Sequence, residues 1–275
     1  MEFTKMQGAG NDFIIISNIE EGIPVEELGK LAKKLCSRRF SIGADGMMVV
    51  DKPSNDGDYM MRFYNSDGSI GEMCGNGARC VARYGYENGL AGKTQKIETG
   101  SGLVIGNRVD DNNYQVKLND VTKIETKKAI FINSKEYIVT YVELGVPGLP
   151  HLACHIHDLG NINRTELKEL ARKMRSYKDF PKGANVNFYD FLSENHLLEL
   201  TYERGVEDFT YACGTGTAAT VIALTALGQV TGKDIRVSMD GGELNVDLRY
   251  INGKFSNILL TGPAKTVVKG EIVDL

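Results

Sequence analysis

Cys213-Gly214-Thr215-Gly216 opens onto Ala218-Ala219-Thr220-Val221-Ile222-Ala223-Leu224-Thr225-Ala226-Leu227, a run that is apolar nearly all round. A helix of that kind is buried on every side. The stretch therefore predicts a helix to Gly228, wrapped by its own sheet. The same head occurs earlier as Cys74-Gly75-Asn76-Gly77, ahead of a second helix from Asn76 to Asn88. In both copies a strand ends in a polar loop and the loop ends in the cysteine. Asn65 stands nine positions before Cys74, and Arg204 stands nine before Cys213. This repetition predicts two similar α/β halves with a break near residues 120–150. The expected division is 1–120 carrying Cys74, 121–262 carrying Cys213, and a closing strand in 263–275 that packs back on the first half.

The remaining elements follow from periodicity and turn residues. Met6 to Asp12 reads as a polar loop, and Asp12 to Ser17 as a strand. Pro24 to Cys36 reads as a helix with Leu28, Leu31 and Leu35 on one face. Strands are expected at Met47–Val50 and Tyr59–Tyr64, and short strands fill Lys96 to Val142. Gly145 to Pro150 reads as a loop, and Arg164 to Ser176 as an amphipathic helix with Leu167, Leu170, Ala171 and Met174 inward. Strands at Asn185–Phe191 and Leu197–Tyr202 lead to a loop from Glu203 to Ala212. Strand-like runs near Ile235–Ser238, Glu243–Leu248, Ile258–Thr261 and Thr266–Ile272 close the chain.

Composition narrows the function classes. With 275 residues, 42% apolar and 25% charged, the chain suits a folded protein of about two domains. No apolar run is long enough to span a bilayer. The net charge of −4 argues against a nucleic-acid face. The five cysteines are odd in number, none pairs at C-x-x-C spacing, and no secretory signal opens the chain. A reducing, cytoplasmic setting with thiols rather than disulfides is the expectation. His155 and His157 alternate on an expected strand, with Cys154 opposite. A half-exposed strand explains them better than a metal site, so no metal is expected.

The two Cys-Gly-x-Gly heads carry the chemistry. A helix start presents unpaired N–H groups and the positive end of its dipole, which suits a carboxylate. The same environment lowers a thiol's pKa, making thiolate accessible near neutral pH. Two such starts facing one carboxylate would place a thiol on each side of the neighbouring carbon. Inverting a stereocentre needs a base on one face and an acid on the other, and a thiolate and a thiol fill both roles. The amides would stabilise the enolate-like charge, so no organic cofactor is required. Cys36 and Cys80, on apolar helix faces, read as core residues. A competing pattern is Gly214-x-Gly216-x-x-Ala219 with Asp234 twenty positions on, a formal dinucleotide-binding match. Its cysteine head and its sister copy at Gly75 weigh against it. Turn chemistry accounts for Asn11 and Asn65. It leaves Glu203-Arg204, which suit an ammonium and a second carboxylate. The substrate would then be a diamino diacid.

These residues resemble the diaminopimelate epimerase family. The resemblance runs from Lys5-Met6 through Gly10-Asn11-Asp12-Phe13 to Thr261-Gly262. Its most specific parts are Asn65-x-Asp67-Gly68, Met73 to Cys80, Tyr202-Glu203-Arg204-Gly205 and Ala212 to Gly216. It implies an α/β (α+β) fold of two pseudo-symmetric domains, each a mainly antiparallel curled sheet around a central helix, commonly as a homodimer. It implies Cys74 and Cys213 as the base and acid pair. Gly75, Asn76, Gly214 and Thr215 would supply amides to the reacting carboxylate, with Asn11 near the reacting centre. Asn65, Asn185 and Arg204 would take the distal carboxylate, and Glu203 the distal ammonium. The sequence departs from the family pattern twice. Gly148-Leu149-Pro150-His151 stands where Gly-Asn-Pro-His is usual, after an insertion at Gly145 to Pro147, and Gly46 stands where Gln is common. A racemase of another amino acid, such as histidine, on the same scaffold is the alternative these departures raise.

Overall fold

The computed structural model describes residues 1–71 and 73–273. The chain divides into two compact units, Met1–Lys117 with Thr261–Leu275, and Leu118–Leu260.

The first unit begins with β1 (Glu2–Gly8) and β2 (Asn11–Ser17), joined by Ala9 and Gly10 at φ +52° and +91°. The expected polar loop at Met6–Asp12 is therefore a hairpin. Thr4, Met6 and Gly8 alternate inward along β1, a period-two pattern that the glycines mask in the sequence. A short α1 (Asn18–Glu21) precedes α2 (Val25–Leu35), which Pro24 caps. Leu28 and Leu35 of α2 are buried and Leu31 is half-buried. Next come β3 (Gly46–Asp51), parallel to β2, and β4 (Tyr59–Asn65), antiparallel to β3. Then α3 (Gly75–Glu87) starts at Cys74. The chain continues through β5 (Thr94–Thr99), β6 (Gly102–Arg108) and β7 (Asn113–Lys117). β1, β2, β3, β6 and β7 all pack on α3, whose residues Gly75 to Ala82 are buried.

The second unit opens with β8 (Val121–Ile132) and β9 (Lys135–Leu144), a long antiparallel pair where only short strands were expected. Asn133 and Ser134 turn between them at positive φ. β10 (Leu149–His155) follows a turn at 145–148, so the expected loop is two residues shorter. The strand ends at His155, and His157 lies beyond it. Cys154 is buried, and His155 Nε2 sits 3.1 Å from Asp190. α4 (Arg164–Arg175) buries Leu167, Ala171 and Met174 and is capped by the Asn163 side chain. β11 (Asn185–Ser193) and β12 (His196–Glu203) pair antiparallel, and β13 (Asp208–Thr210) adds a short strand inside the expected 203–212 loop. α5 (Gly214–Ala226) is buried from Gly216 to Thr225, and β8, β9, β10, β11 and β15 (Gly242–Ile251) pack on it. β14 (Ile235–Met239) pairs antiparallel with β15, and β16 (Lys254–Pro263) runs through the unit boundary. β17 (Lys265–Glu271) then pairs antiparallel with β1. The last two residues of the expected closing segment lie outside the described residues.

Each unit thus wraps strands, mostly antiparallel, around one buried helix. In the first unit a buried polar clasp holds the helix. The Tyr59 hydroxyl donates to Gln95, whose Nε2 donates to the Ala82 carbonyl at 2.8 Å. Tyr59 lies against Gly85, where an added Cβ would meet its hydroxyl oxygen at 2.6 Å and two ring carbons at 2.8 Å. Gly85→Ala gains about 1 kcal/mol of helix propensity, but the ring cannot retreat without breaking the clasp. The expected result is a net loss on the order of 1–3 kcal/mol, read as a lower urea midpoint.

Candidate active site

Cys74 stands at the N-cap of α3 with extended backbone, and the Gly77 N–H donates to its Sγ at 3.5 Å. Gly75 and Asn76 are the first helical residues, and both are buried. Asn76 and Asn11 come together: Asn76 Nδ2 donates to Asn11 Oδ1 at 2.6 Å. Asn11 Nδ2 donates in turn to Asp45 at 3.2 Å. Asp45 belongs to a charged cluster with Arg38, Asp12 and Lys5. Burial would push the Asp12 carboxyl up, but Arg38 and Lys5 hold it below the usual range. Asn65 ends β4 and turns onto Ser69, its Nδ2 donating to Ser69 Oγ at 2.9 Å.

Sequence reasoning missed Arg79, a fully buried guanidinium one turn into α3. Nη1 donates to the Gly75 carbonyl at 3.3 Å and Nη2 to Asn76 Oδ1 at 2.9 Å. Burial pulls its pKa down to about 10, so it remains a cation at neutral pH. It sits in the Gly-Ala-Arg-Cys continuation of the motif, where a charged residue beside apolar neighbours was the available signal.

In the second unit Cys213 is the N-cap of α5, with Gly214 and Thr215 as the first helical residues. Its Sγ lies 3.6 Å from the Thr215 hydroxyl. Asn185 and Arg204 come together, since Asn185 Oδ1 accepts from the Arg204 backbone N–H at 2.8 Å. Arg204 Nη1 is anchored on the Lys182 carbonyl at 2.8 Å. Glu203 ends β12 beside it and acts electrostatically on Cys213.

The expected easy ionisation of both thiols does not hold for Cys213. Burial pushes this thiol well above its ordinary range, and the charges of Glu203 and Glu199 push the same way. Desolvation outweighs the helix start, the Thr215 hydroxyl and the Gly216 N–H, which pull it down. Cys36, Cys80 and Cys154 are buried thiols, each pushed up to about 12 chiefly by burial.

Beneath Cys213 lies a buried polar network that the sequence did not reveal. The Thr217 hydroxyl is 3.0 Å from the Cys213 carbonyl and 2.9 Å from Glu199 Oε1. Glu199 is fully buried on β12, and its Oε2 makes no hydrogen bond among the described residues. Burial raises its pKa to about 7, against the pull of the Thr220, Thr217 and Thr201 hydroxyls. Asn187 Oδ1 accepts from Thr201, and its Nδ2 donates to the Leu152 carbonyl and lies 3.4 Å from His151 Nδ1. His151 is fully buried, and burial with the charge of Arg204 pulls it down to about 3, so it is neutral. Gly216 has no room for a side chain, since a Cβ would stand 2.2 Å from Asn187 Oδ1.

The two departures from the family pattern have different surroundings. At Gly46 a Cβ would meet the Phe63 ring at 2.6 Å and the Tyr64 carbonyl at 2.8 Å, so β3 and β4 pack too closely for glutamine. Leu149 opens β10 opposite Leu144 of β9. The adjoining turn rests on Glu143, which bonds the Tyr141 hydroxyl and Lys182, the residue whose carbonyl anchors Arg204. The dinucleotide reading fails on topology. Asp234 precedes β14 and is bonded to Asp247 and Asn245 of the neighbouring β15, whereas the acid of that fingerprint stands where it can bond a ribose. Among the described residues no three His, Cys, Asp or Glu side chains gather as a metal-ligand set. No described helix is long and apolar enough to cross a membrane.

Solved structures with this fold include a hydroxyproline epimerase from Agrobacterium vitis with bound trans-4-hydroxy-L-proline. It is 18% identical, with a TM-score of 0.72, covering 99% of this chain and 90% of that one. A probable proline racemase from Agrobacterium radiobacter aligns at 16% identity and a TM-score of 0.69. The chain therefore shares its fold with these solved structures. At the sequence level the diaminopimelate epimerase pattern matches residues 3–124 and 146–267. The diaminopimelate epimerase of Methanocella arvoryzae is 39% identical over 99% of this chain and 96% of that protein. That of Aquifex aeolicus is 37% identical over 99% and 98%. The chain belongs to the diaminopimelate epimerase family.

Glu199 yields a pH prediction. Its carboxyl titrates at about 7 in the folded chain, against 4.5 ordinarily. Between those values the folded state keeps a proton that the unfolded state has lost, so this group's contribution to stability falls as pH rises through the window. Glu199→Gln removes that slope. Relative to the native chain the variant should gain on the order of 2–3 kcal/mol between pH 4.5 and 7 and nothing further above. Urea unfolding at pH 5 and 8 measures it, and His151, present in both chains, cancels from the difference.

Proposed function

We propose that this isomerase interconverts L,L- and meso-2,6-diaminopimelate by moving one α-proton between the Cys74 and Cys213 thiols, in the supply of lysine and of a peptidoglycan precursor. The observation that supports it most is the pair of cysteines, each capping the buried central helix of its own unit. A thiolate on one face of the α-carbon takes the proton, and a thiol on the other face delivers one. The amides of Gly75, Asn76, Gly214 and Thr215 receive the α-carboxylate and the charge that builds on it as the carbon becomes planar. Asn11 stands by the reacting centre, held through Asp45 and Asn76.

The distal end of the substrate selects among amino acids. With Nη1 tied to the Lys182 carbonyl, Arg204 is pre-oriented to grip a second carboxylate with its other N–H groups. Asn65 and Asn185 assist at the same carboxylate, and Glu203 takes the distal ammonium. Leu149 offers no hydrogen bond there, which places more of the selection on Arg204. The family resemblance also supports a homodimer.

Cys74→Ala and Cys213→Ala should each lower epimerisation of L,L-diaminopimelate by roughly 10²–10⁴-fold or more, followed by chiral chromatography of the product. Normal turnover by either variant contradicts the two-thiol reading. Arg204→Ala should cost roughly 10²-fold in kcat/KM. Unchanged kcat/KM would instead favour a substrate with one carboxylate.

A further inference from the structure

We propose that Arg79 and Asp45 are positioning residues. As the donor-only and acceptor-only ends of one series of hydrogen bonds, they fix which way the side-chain amides of Asn76 and Asn11 face, and so leave Asn11 an N–H for the anionic group of its ligand. The inference deepens the proposed reaction and rests on it, since that reading puts Asn11 by the reacting centre.

A side-chain amide has nearly the same shape when turned over, with its donor and acceptor exchanged. Here neither amide can turn. A guanidinium only donates, and Arg79 Nη2 donates to Asn76 Oδ1 at 2.9 Å. That leaves Asn76 Nδ2 to donate to Asn11 Oδ1 at 2.6 Å. Asn11 Nδ2 in turn donates to Asp45 Oδ2 at 3.2 Å, and a carboxylate only accepts. Turning either amide over would set donor against donor or acceptor against acceptor. Both ends of the series are themselves held. Arg79 is fully buried, and its Nη1 is tied to the Gly75 carbonyl. Asp45 accepts from Arg38 Nη2 at 2.9 Å on one oxygen and from the Asp12 N–H at 3.2 Å on the other. The backbone brings these residues together. Parallel pairing of β2 and β3 begins at Phe13 and Gly46, which sets Asp45 beside Asn11. Gly8 lets the β1–β2 hairpin close on the first turn of α3, since a Cβ there would stand 3.0 Å from the Asn76 carbonyl oxygen. Asn11 is half-buried, and its Nδ2 carries a second N–H beyond the one given to Asp45. A donor suits a carboxylate on which charge builds during proton abstraction, and its hydrogen bond strengthens as that charge grows. The effect of holding it therefore falls on kcat more than on KM.

Asp45→Ala removes the acceptor end of the series at an exposed residue. With L,L-diaminopimelate it should lower kcat about 10-fold and leave KM within about threefold of the native value. A double-mutant cycle separates positioning from damage to the fold. Added to Asn11→Ala, Asp45→Ala should cost no further activity, because it acts through Asn11. A full second loss in the double variant overturns the proposal, as does a normal kcat in Asp45→Ala. If Asp45→Ala does not fold, Asp45→Asn, whose amide can oppose Asn11 with a donor, carries the same cycle with the same two outcomes. A second measurement needs no substrate. In isotope-labelled protein the NMR signals of the Asn11 side-chain amide, identified by their loss in Asn11→Ala, should move toward free-asparagine values when Asp45 is replaced. Signals that stay in place overturn the proposal whatever the substrate. Signals that move in a protein whose native form leaves diaminopimelate unchanged keep the positioning and overturn the proposed reaction alone.

Discussion

A helix start sunk inside a sheet leaves backbone N–H groups that water cannot reach, and something must answer them. That constraint organises both units of this chain. In α3 the Cys74 sulfur receives the Gly77 N–H. In α5 the Gly216 N–H and the Thr215 hydroxyl act on the Cys213 sulfur. Small residues at these turns follow from the same constraint. Gly77 and Gly216 face Met48 and Asn187 so closely that a side chain would displace them. Amides at a helix start suit a carboxylate, and a thiol at the same place suits proton transfer.

The two units solve the same problem with different buried polar groups. Around α3 the support is cationic and tied outward through Asn76, Asn11 and Asp45 to an exposed ion cluster. Around α5 it is acidic and closed, with Glu199, Thr217, Thr201, Asn187 and His151 linked in the core. The two similar helix starts thus carry different buried charged side chains, Arg79 in one unit and Glu199 in the other.

Much of this was legible in the sequence because the decisive elements are local. The all-apolar run after Cys213 could only be an enclosed helix, and the repeated head fixed its partner in the first half. The glycine-masked alternation of β1 was not legible, since hairpin and loop share the turn at Ala9-Gly10. The length of β8 and β9 was hidden by polar residues on their exposed faces. Asn11 and Asn76 were identifiable as candidates, but their mutual hydrogen bond joins residues from distant parts of the first unit. Glu199 and Arg79 were missed for a physical reason: charged residues in a sequence read as surface, and only the tertiary structure encloses these two.

The central claim, that two thiols and backbone amides invert one α-carbon of a diamino diacid, has a direct readout. Proton NMR of the reduced protein in deuterated water with L,L-diaminopimelate follows the α-proton itself, with L-histidine and L-lysine in separate tubes. Loss of the α-proton signal with appearance of the meso form, in the diaminopimelate tube alone, is the result this account predicts. Exchange only of another amino acid, or none in any tube while the thiols remain reduced, would contradict it.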